Sequence, residues 1–215
     1  MEEPQSSREE RLISFRIGDV FDPDDDVALW LLTISLAFND IVLTHVRADE
    51  AEEEWERFYF SRVGFGHYNE ILLYLEREHR NPDVQAFVGT RPAELRAAYE
   101  ETLALYDGIR AIANRLRNEA IFHYPDRRGV RAMRSALLDS ELQDALGGIT
   151  SSTGKVRDMR NHFADEVMAM MVIKAGGGTA DSTSEVFAAL RDGVTAFMRF
   201  ANQVQVSFFE MRIAR

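Results

Sequence analysis

The chain contains no cysteine, which excludes a disulfide framework, thiol catalysis and any cysteine-ligated zinc or iron–sulfur site. Lysine is nearly absent: Lys155 and Lys174 are the only two, so arginine supplies almost all the positive charge. Five prolines and thirteen glycines in 215 residues gather at loop-like points, which fits neither a β-sandwich nor a collagen-like chain. Cations are outnumbered, and the net charge of −11 argues against general nucleic-acid binding, because phosphate contact needs clustered positive charge. Met1–Glu10 is acidic and polar and lacks the basic start and apolar stretch of a secretory signal. A cytoplasmic protein is expected. The longest apolar run breaks at Thr33, Ser35, Asn39 and Asp40, too early for a membrane span. At 46% hydrophobic and 28% charged residues, the chain can bury a sizeable core as one domain.

The charge is unevenly placed. Residues 1–56 hold sixteen acids against four arginines. Residues 110–134 carry seven arginines against Glu119 and Asp126. Within that stretch Arg127, Arg128, Arg131 and Arg134 form a candidate anion-binding patch. The plainer reading makes them a solvated face, or partners for the chain's own acidic first quarter.

Helical periodicity dominates. A short helix is expected at 8–17, a loop at 18–26 with Asp25 or Asp26 as N-cap, and a central buried helix over 27–47. A second helix is expected over 50–80, with Gly64 and Gly66 kinking it or admitting a close neighbour, and Asn81-Pro82 stopping it. A third opens at Thr90 and runs to about Phe122. Shorter amphipathic helices follow at 129–146 and 155–175, and a long one at about 184–212 with Ser182 or Thr183 as cap. Strand pairs, internal repeats and dividing linkers are not evident. The expected fold class is all-α: a single helical bundle of five main helices plus one or two short ones. An acidic N-terminal segment, 1–24, precedes a helical bundle domain, 25–215.

The familiar phosphate-loop, dinucleotide, nucleophile-elbow and HExxH motifs are absent. Glu76-Arg-Glu-His79 has the carboxylate–histidine spacing of di-iron bundles, but those sites need a second such pair. No metal and no cofactor are expected. Arginine followed by histidine five or six positions later occurs three times: Arg62–His67, Arg117–His123 and Arg157–His162. Only the last two place a polar residue after the arginine, Asn118 and Asp158. Such a pair suits metal-free RNA cleavage. An imidazole near neutral pKa can take and return the 2′-hydroxyl proton, and a guanidinium can fork two donors onto phosphate oxygens. On a regular helix Arg117 and His123 would sit about 120° apart, so the last turn must loosen for them to meet. The alternative makes His123 a helix-end residue near the last carbonyls and Arg117 half of a surface ion pair.

The run Leu116-Arg-Asn-Glu-Ala-Ile-Phe-His-Tyr124 resembles the RNx4H signature of HEPN domains, all-α bundles of prokaryotic toxins, abortive-infection proteins and RNA-cleaving immune effectors. The resemblance implies a metal-independent endoribonuclease of toxin or phage-defence type acting on single-stranded RNA. Arg117 and His123 would be the catalytic pair and Asn118 would orient them. It further implies a homodimer with two motif copies facing each other, and an antitoxin-like protein as restraining partner. Arg157, Asp158 and His162, expected within one helix, form the second candidate site. The alternative reading is a non-catalytic helical binding or scaffold protein that dimerises and docks an acidic partner.

Overall fold

The computed structural model describes residues 15–118, 127–146, 149–150 and 160–213. Nine helices lie among them: α1 (Ile17–Val20), α2 (Asp26–Glu50), α3 (Glu54–Glu78), α4 (Pro82–Gly89), α5 (Ala93–Leu116), α6 (Arg127–Leu137), α7 (Ser140–Asp144), α8 (His162–Ala175) and α9 (Ala180–Ile213). The fold is an all-α bundle whose main helices are α2, α3, α5, α8 and α9. Two short segments, β1 (Ile149–Thr150) and β2 (Arg160–Asn161), pair antiparallel just ahead of α8.

Asp25 starts α2. Its carboxylate accepts from the Val27 and Ala28 amides at 2.9 and 3.1 Å and also receives Arg212 from the far end of α9. One side chain thus caps the first long helix and ties it to the last. A short turn returns the chain as α3, antiparallel to α2. The register is held by Asn81 Nδ2 on Asp26 Oδ2 (3.2 Å) at one end and His67 Nδ1 beside Asp40 Oδ2 (3.6 Å) in the middle. Near the other end a Cβ on Gly64 would come within 2.8 Å of Thr44 Oγ1. Gly64 therefore lets the two backbones close up; α3 runs through it and Gly66 as one continuous helix.

Ion pairs set the remaining directions. Arg110 Nη2 meets Glu76 Oε1 at 2.8 Å and Arg117 pairs with Glu70, so α5 runs antiparallel to α3. Arg199 pairs with Glu101, and α9 runs antiparallel to α5. Helices α2, α3, α5 and α9 therefore form an up-down-up-down four-helix core, with α2 packed on α3 and α9 and diagonally across from α5. Helices α6, α7 and α8 make an outer layer between α5 and α9 in sequence. There α6 rests chiefly on α8, and Lys174 Nζ reaches Asp139 Oδ2 at 3.0 Å. Bonds from the Lys174 ammonium and the Glu141 amide hold the Asp139 carboxyl below the usual carboxylate range.

The core is aromatic. Trp30, 1% exposed, has the rings of Phe87, Tyr99 and Phe200 at 6.1, 6.2 and 6.1 Å. Tyr68 is fully buried against Phe197, and Gly193 of α9 makes room for it: a Cβ there would collide with the phenol oxygen. Ahead of α2, Phe15 and Phe21 pack on Phe209 and Phe208 at ring separations of 5.0 and 5.9 Å.

Several expectations are corrected. The short helix expected at 8–17 lies outside the described residues except for 15–17, of which only Ile17 is helical; the helical turn α1 runs from there to Val20, into the stretch expected as loop. Asn81-Pro82 does more than stop α3: the Asn81 side chain accepts from the Asp83 amide at 3.0 Å and opens α4, with Pro82 in the first turn. Thr90 closes α4 instead of capping α5, donating to the Phe87 carbonyl at 2.8 Å. The helix expected over 129–146 divides at Leu138–Asp139, where Asp139 caps α7. Ser182 and Thr183 lie inside α9, which begins earlier, at Ala180. Gly177 and Gly178, both at positive φ (127° and 87°), make the break between α8 and α9. Helix α2 is not buried all round: its inner face is in the core, and its outer face is exposed.

Burial raises the phenol pKa of Tyr68, with Tyr106 nearby adding to the effect, and likewise that of Tyr99, with Glu78 adding. An unfolded tyrosine titrates near about 10. The folded values lie higher, so the stabilisation is intact below pH ~10 and is lost as pH rises from there towards the folded pKa. Urea midpoints are expected to fall above about pH 10, with most phenolate absorbance appearing together with unfolding. Phenolate absorbance developing fully in the folded protein near pH 10 would contradict this.

Candidate functional site

Helix α5 presents three faces. Leu95, Ala98, Tyr99, Thr102, Tyr106, Ile109, Ala113 and Leu116 recur at three and four and enter the core. A second face meets α3 through Arg110 and Arg117. The third, with Ala111, Asn114, Arg115 and Asn118 at helical spacing, forms one wall of an open groove of about 550 Å³. Its opposite wall is Arg131, Ala132 and Ser135 of α6. Arg115 and Arg131 are exposed, line the groove and make no ion pair with another described residue.

At its C-terminal end α5 widens. After Leu116 the backbone continues through Arg117 and Asn118 as a π-type turn, a local loosening often found at functional sites. Arg117 is half-buried. Its Nε donates to Glu70 Oε1 of α3, and its Nη1 donates to Asn118 Oδ1 at 3.1 Å. Asn118 in turn lines the groove. The asparagine side chain therefore joins the Arg117 guanidinium to the groove wall, while Glu70 holds that guanidinium from behind.

The candidate residues fall as follows. Arg117 and Asn118 come together at the end of α5; His123 lies outside the described residues. Arg131 faces the groove, Arg134 is exposed on the same helix, and Arg127 and Arg128 open α6. Of the second candidate set, Arg157 and Asp158 lie outside the described residues. His162 is the first residue of α8, and Arg160 and Asn161 before it are extended. Within the helix expected over 155–175, Arg160 and Asn161 are therefore not helical and α8 begins only at His162, which corrects that expectation. In Glu76–His79 the two side chains take different partners. Glu76 binds Arg110, whereas His79 Nδ1 lies 2.9 Å from Gln85 Nε2 and 3.3 Å from Tyr99 Oη. Among the described residues no group of three or more metal-ligating side chains converges.

Comparison with known proteins adds no relative. No family model, no curated protein and no solved structure matches the chain. The site is therefore read from its own chemistry.

The sequence missed three members. Arg115 and Asn114 precede Asn118 by three and four residues, so helical spacing alone would have put them on its face. Glu70 is 47 residues from Arg117 in the chain, and no local signal links the two. A further cavity of about 260 Å³ sits farther back along α5, between Glu76, His79 and Arg80 of the α3 end and Tyr106, Asp107 and Arg110. Arg110 binds both Glu76 and Asp107 there.

Proposed function

We propose that this protein is a HEPN-like, metal-independent endoribonuclease of toxin or phage-defence type, acting in the cytoplasm on single-stranded RNA. The observation that supports the reading best is the groove at the end of α5: Asn118, Arg115 and Arg131 line it, and Asn118 is bonded to Arg117. Arg115 and Arg131, which pair with no carboxylate among the described residues, suit a phosphodiester backbone, because each can give two parallel donors to one phosphate.

In the proposed reaction His123 takes the proton from a ribose 2′-hydroxyl. The 2′-oxygen then attacks phosphorus, and the P–O5′ bond breaks. The leaving 5′-oxygen gains a proton, so the products are a 2′,3′-cyclic phosphate and a 5′-hydroxyl. Arg117 would balance the charge of the phosphorane, and Asn118 would orient it. Two copies across a homodimer would pool their arginines and histidines about one phosphate, with an antitoxin-like protein as restraint.

Purified protein is expected to cut single-stranded RNA in EDTA and to leave 2′,3′-cyclic ends. Intact RNA after incubation at high enzyme concentration would end the proposal. A second reading draws on the Arg117–Glu70 pair, which already neutralises the arginine. Under it the groove holds an acidic partner without cutting, and RNA or an acidic peptide would bind but remain whole.

A further inference from the structure

Helix α2 carries two apolar stripes. One is the buried face already described: Trp30, Leu31, Ile34, Ile41, Thr44 and Ala48. The other follows a strict seven-residue repeat on the outer side. Leu29, Leu36 and Leu43 occupy one position and Leu32, Asn39 and Val46 the position three residues later, the a and d sites of a coiled coil. All six are exposed, Leu36 and Leu43 by 59% and 56%. The five apolar members are all exposed large hydrophobic side chains at heptad spacing on one side of the helix, and a grouped apolar patch on a surface marks an interaction site. Over its 25 residues the helix offers about three and a half heptads. Leu36 and Leu43 at its middle are the most exposed, and Leu29, Leu32 and Val46 are partly covered by their neighbours.

Charge selects the occupant. Asp22, Asp24 and Asp26 stand at one end of the seam, and Asp49, Glu50, Glu52, Glu53 and Glu54 at the other. The basic groups near it among the described residues are already engaged: Arg47 is held by Glu50 at 3.2 Å, His45 lies beside Asp49, Arg57 donates to the Ala51 carbonyl at one end and Arg212 pairs with Asp25 at the other. A second copy of the chain would bring acidic ends against acidic ends in either orientation. An anionic lipid surface would be repelled likewise. A helix with apolar a and d positions and cationic flanks meets both features at once. Asn39, the one polar member of the seam, fixes its register by requiring a polar side chain opposite.

We infer that the outer face of α2 is a docking site for a basic amphipathic helix of a partner protein. The site lies diagonally across the core from the α5–α6 groove and stands independently of the ribonuclease reading. Variants here are expected to leave any RNA cleavage unchanged.

The probe is a synthetic helix of three heptads with leucine at a and d, arginine or lysine at e and g, and one asparagine placed opposite Asn39. The labelled peptide is expected to bind with micromolar affinity by anisotropy, to lose at least about tenfold on Leu36→Glu and on Leu43→Glu, and to weaken in about 1 M salt, where screening falls to about 3 Å. Both side chains are more than half exposed, and unchanged thermal unfolding of the variants checks that the fold is kept. Four results would each overturn the inference. The first is equal binding by wild type and both variants, and the second is equal binding of a peptide with glutamate at e and g. The third is a chain that is dimeric by light scattering and becomes monomeric on Leu36→Glu, which would assign the seam to a second copy. The last is co-sedimentation with phosphatidylcholine–phosphatidylserine vesicles that Leu36→Glu abolishes, which would assign it to a bilayer.

Discussion

His123→Ala is expected to lower RNA cleavage by about 10²–10⁴-fold, the usual contribution of a positioned acid–base group. Arg117→Ala should lose about 10²–10³-fold, as does removal of one donor to a developing anion. The two arginines of the groove should behave differently. Arg115→Ala and Arg131→Ala remove backbone-phosphate contacts, so they are expected to weaken RNA binding, to reduce its salt dependence and to spare the rate of the bound complex. Single-turnover kinetics in EDTA separate these effects. A His123→Ala protein that cuts at the wild-type rate would remove the histidine from the chemistry. Equal losses in binding and rate for all four variants would point to damage of the whole groove.

Trp30→Ala should cost about 3–5 kcal/mol, the range for emptying a large aromatic site. The indole is almost completely buried, and its three ring neighbours come from three other elements: Phe87 from α4, Tyr99 from α5 and Phe200 from α9. Removing it unsupports α4 and α9 together, so little relaxation can fill the space. For a chain of this size the loss corresponds to a fall in Tm of about 6–20 °C. Trp30→Phe should cost much less. It keeps a ring in the pocket and removes the indole N–H, which is buried and has no hydrogen-bond partner among the described residues. Urea unfolding followed by circular dichroism measures both. A loss below about 1 kcal/mol for the alanine variant would show that Trp30 is not the centre of the core.

Much of the fold can be read from local chemistry. The Asp25 cap, the long helices and the break at Gly176–Gly178 all follow from neighbours in sequence. The failures share a cause. Asn81-Pro82 and Thr90 each look the same whether they end one helix or begin the next, and tertiary packing decides between the two. The nearly continuous apolar character of α2 reads, from sequence, as one all-round buried surface. It is two stripes, one on the core and one facing outwards, superposed on a single helix, and hydrophobicity alone cannot separate them. Only the seven-residue spacing of Leu29, Leu36 and Leu43 distinguishes the outer one.

The candidate site was legible in part for the same reason. Arg117 and Asn118 are adjacent in the chain and stand together at the end of α5. The carboxylate that holds Arg117 lies on another helix, and the choice of Glu70 over the other acids of α3 depends on the register of α3 against α5. Arg131 was visible as part of a cationic cluster, but its position across from Arg115 depends on how the outer layer sits against the core.

That layering has a mechanical consequence. The two sides of the α5–α6 groove rest on different foundations: α5 is clamped into the four-helix core, whereas α6 hangs from α8. The groove is a vice with one anchored jaw and one carried on its own bracket. A guest in the groove touches both layers at once, the aromatic core through α5 and the α6–α8 pair through Arg131, so substitutions in the two walls are felt by different sets of neighbours.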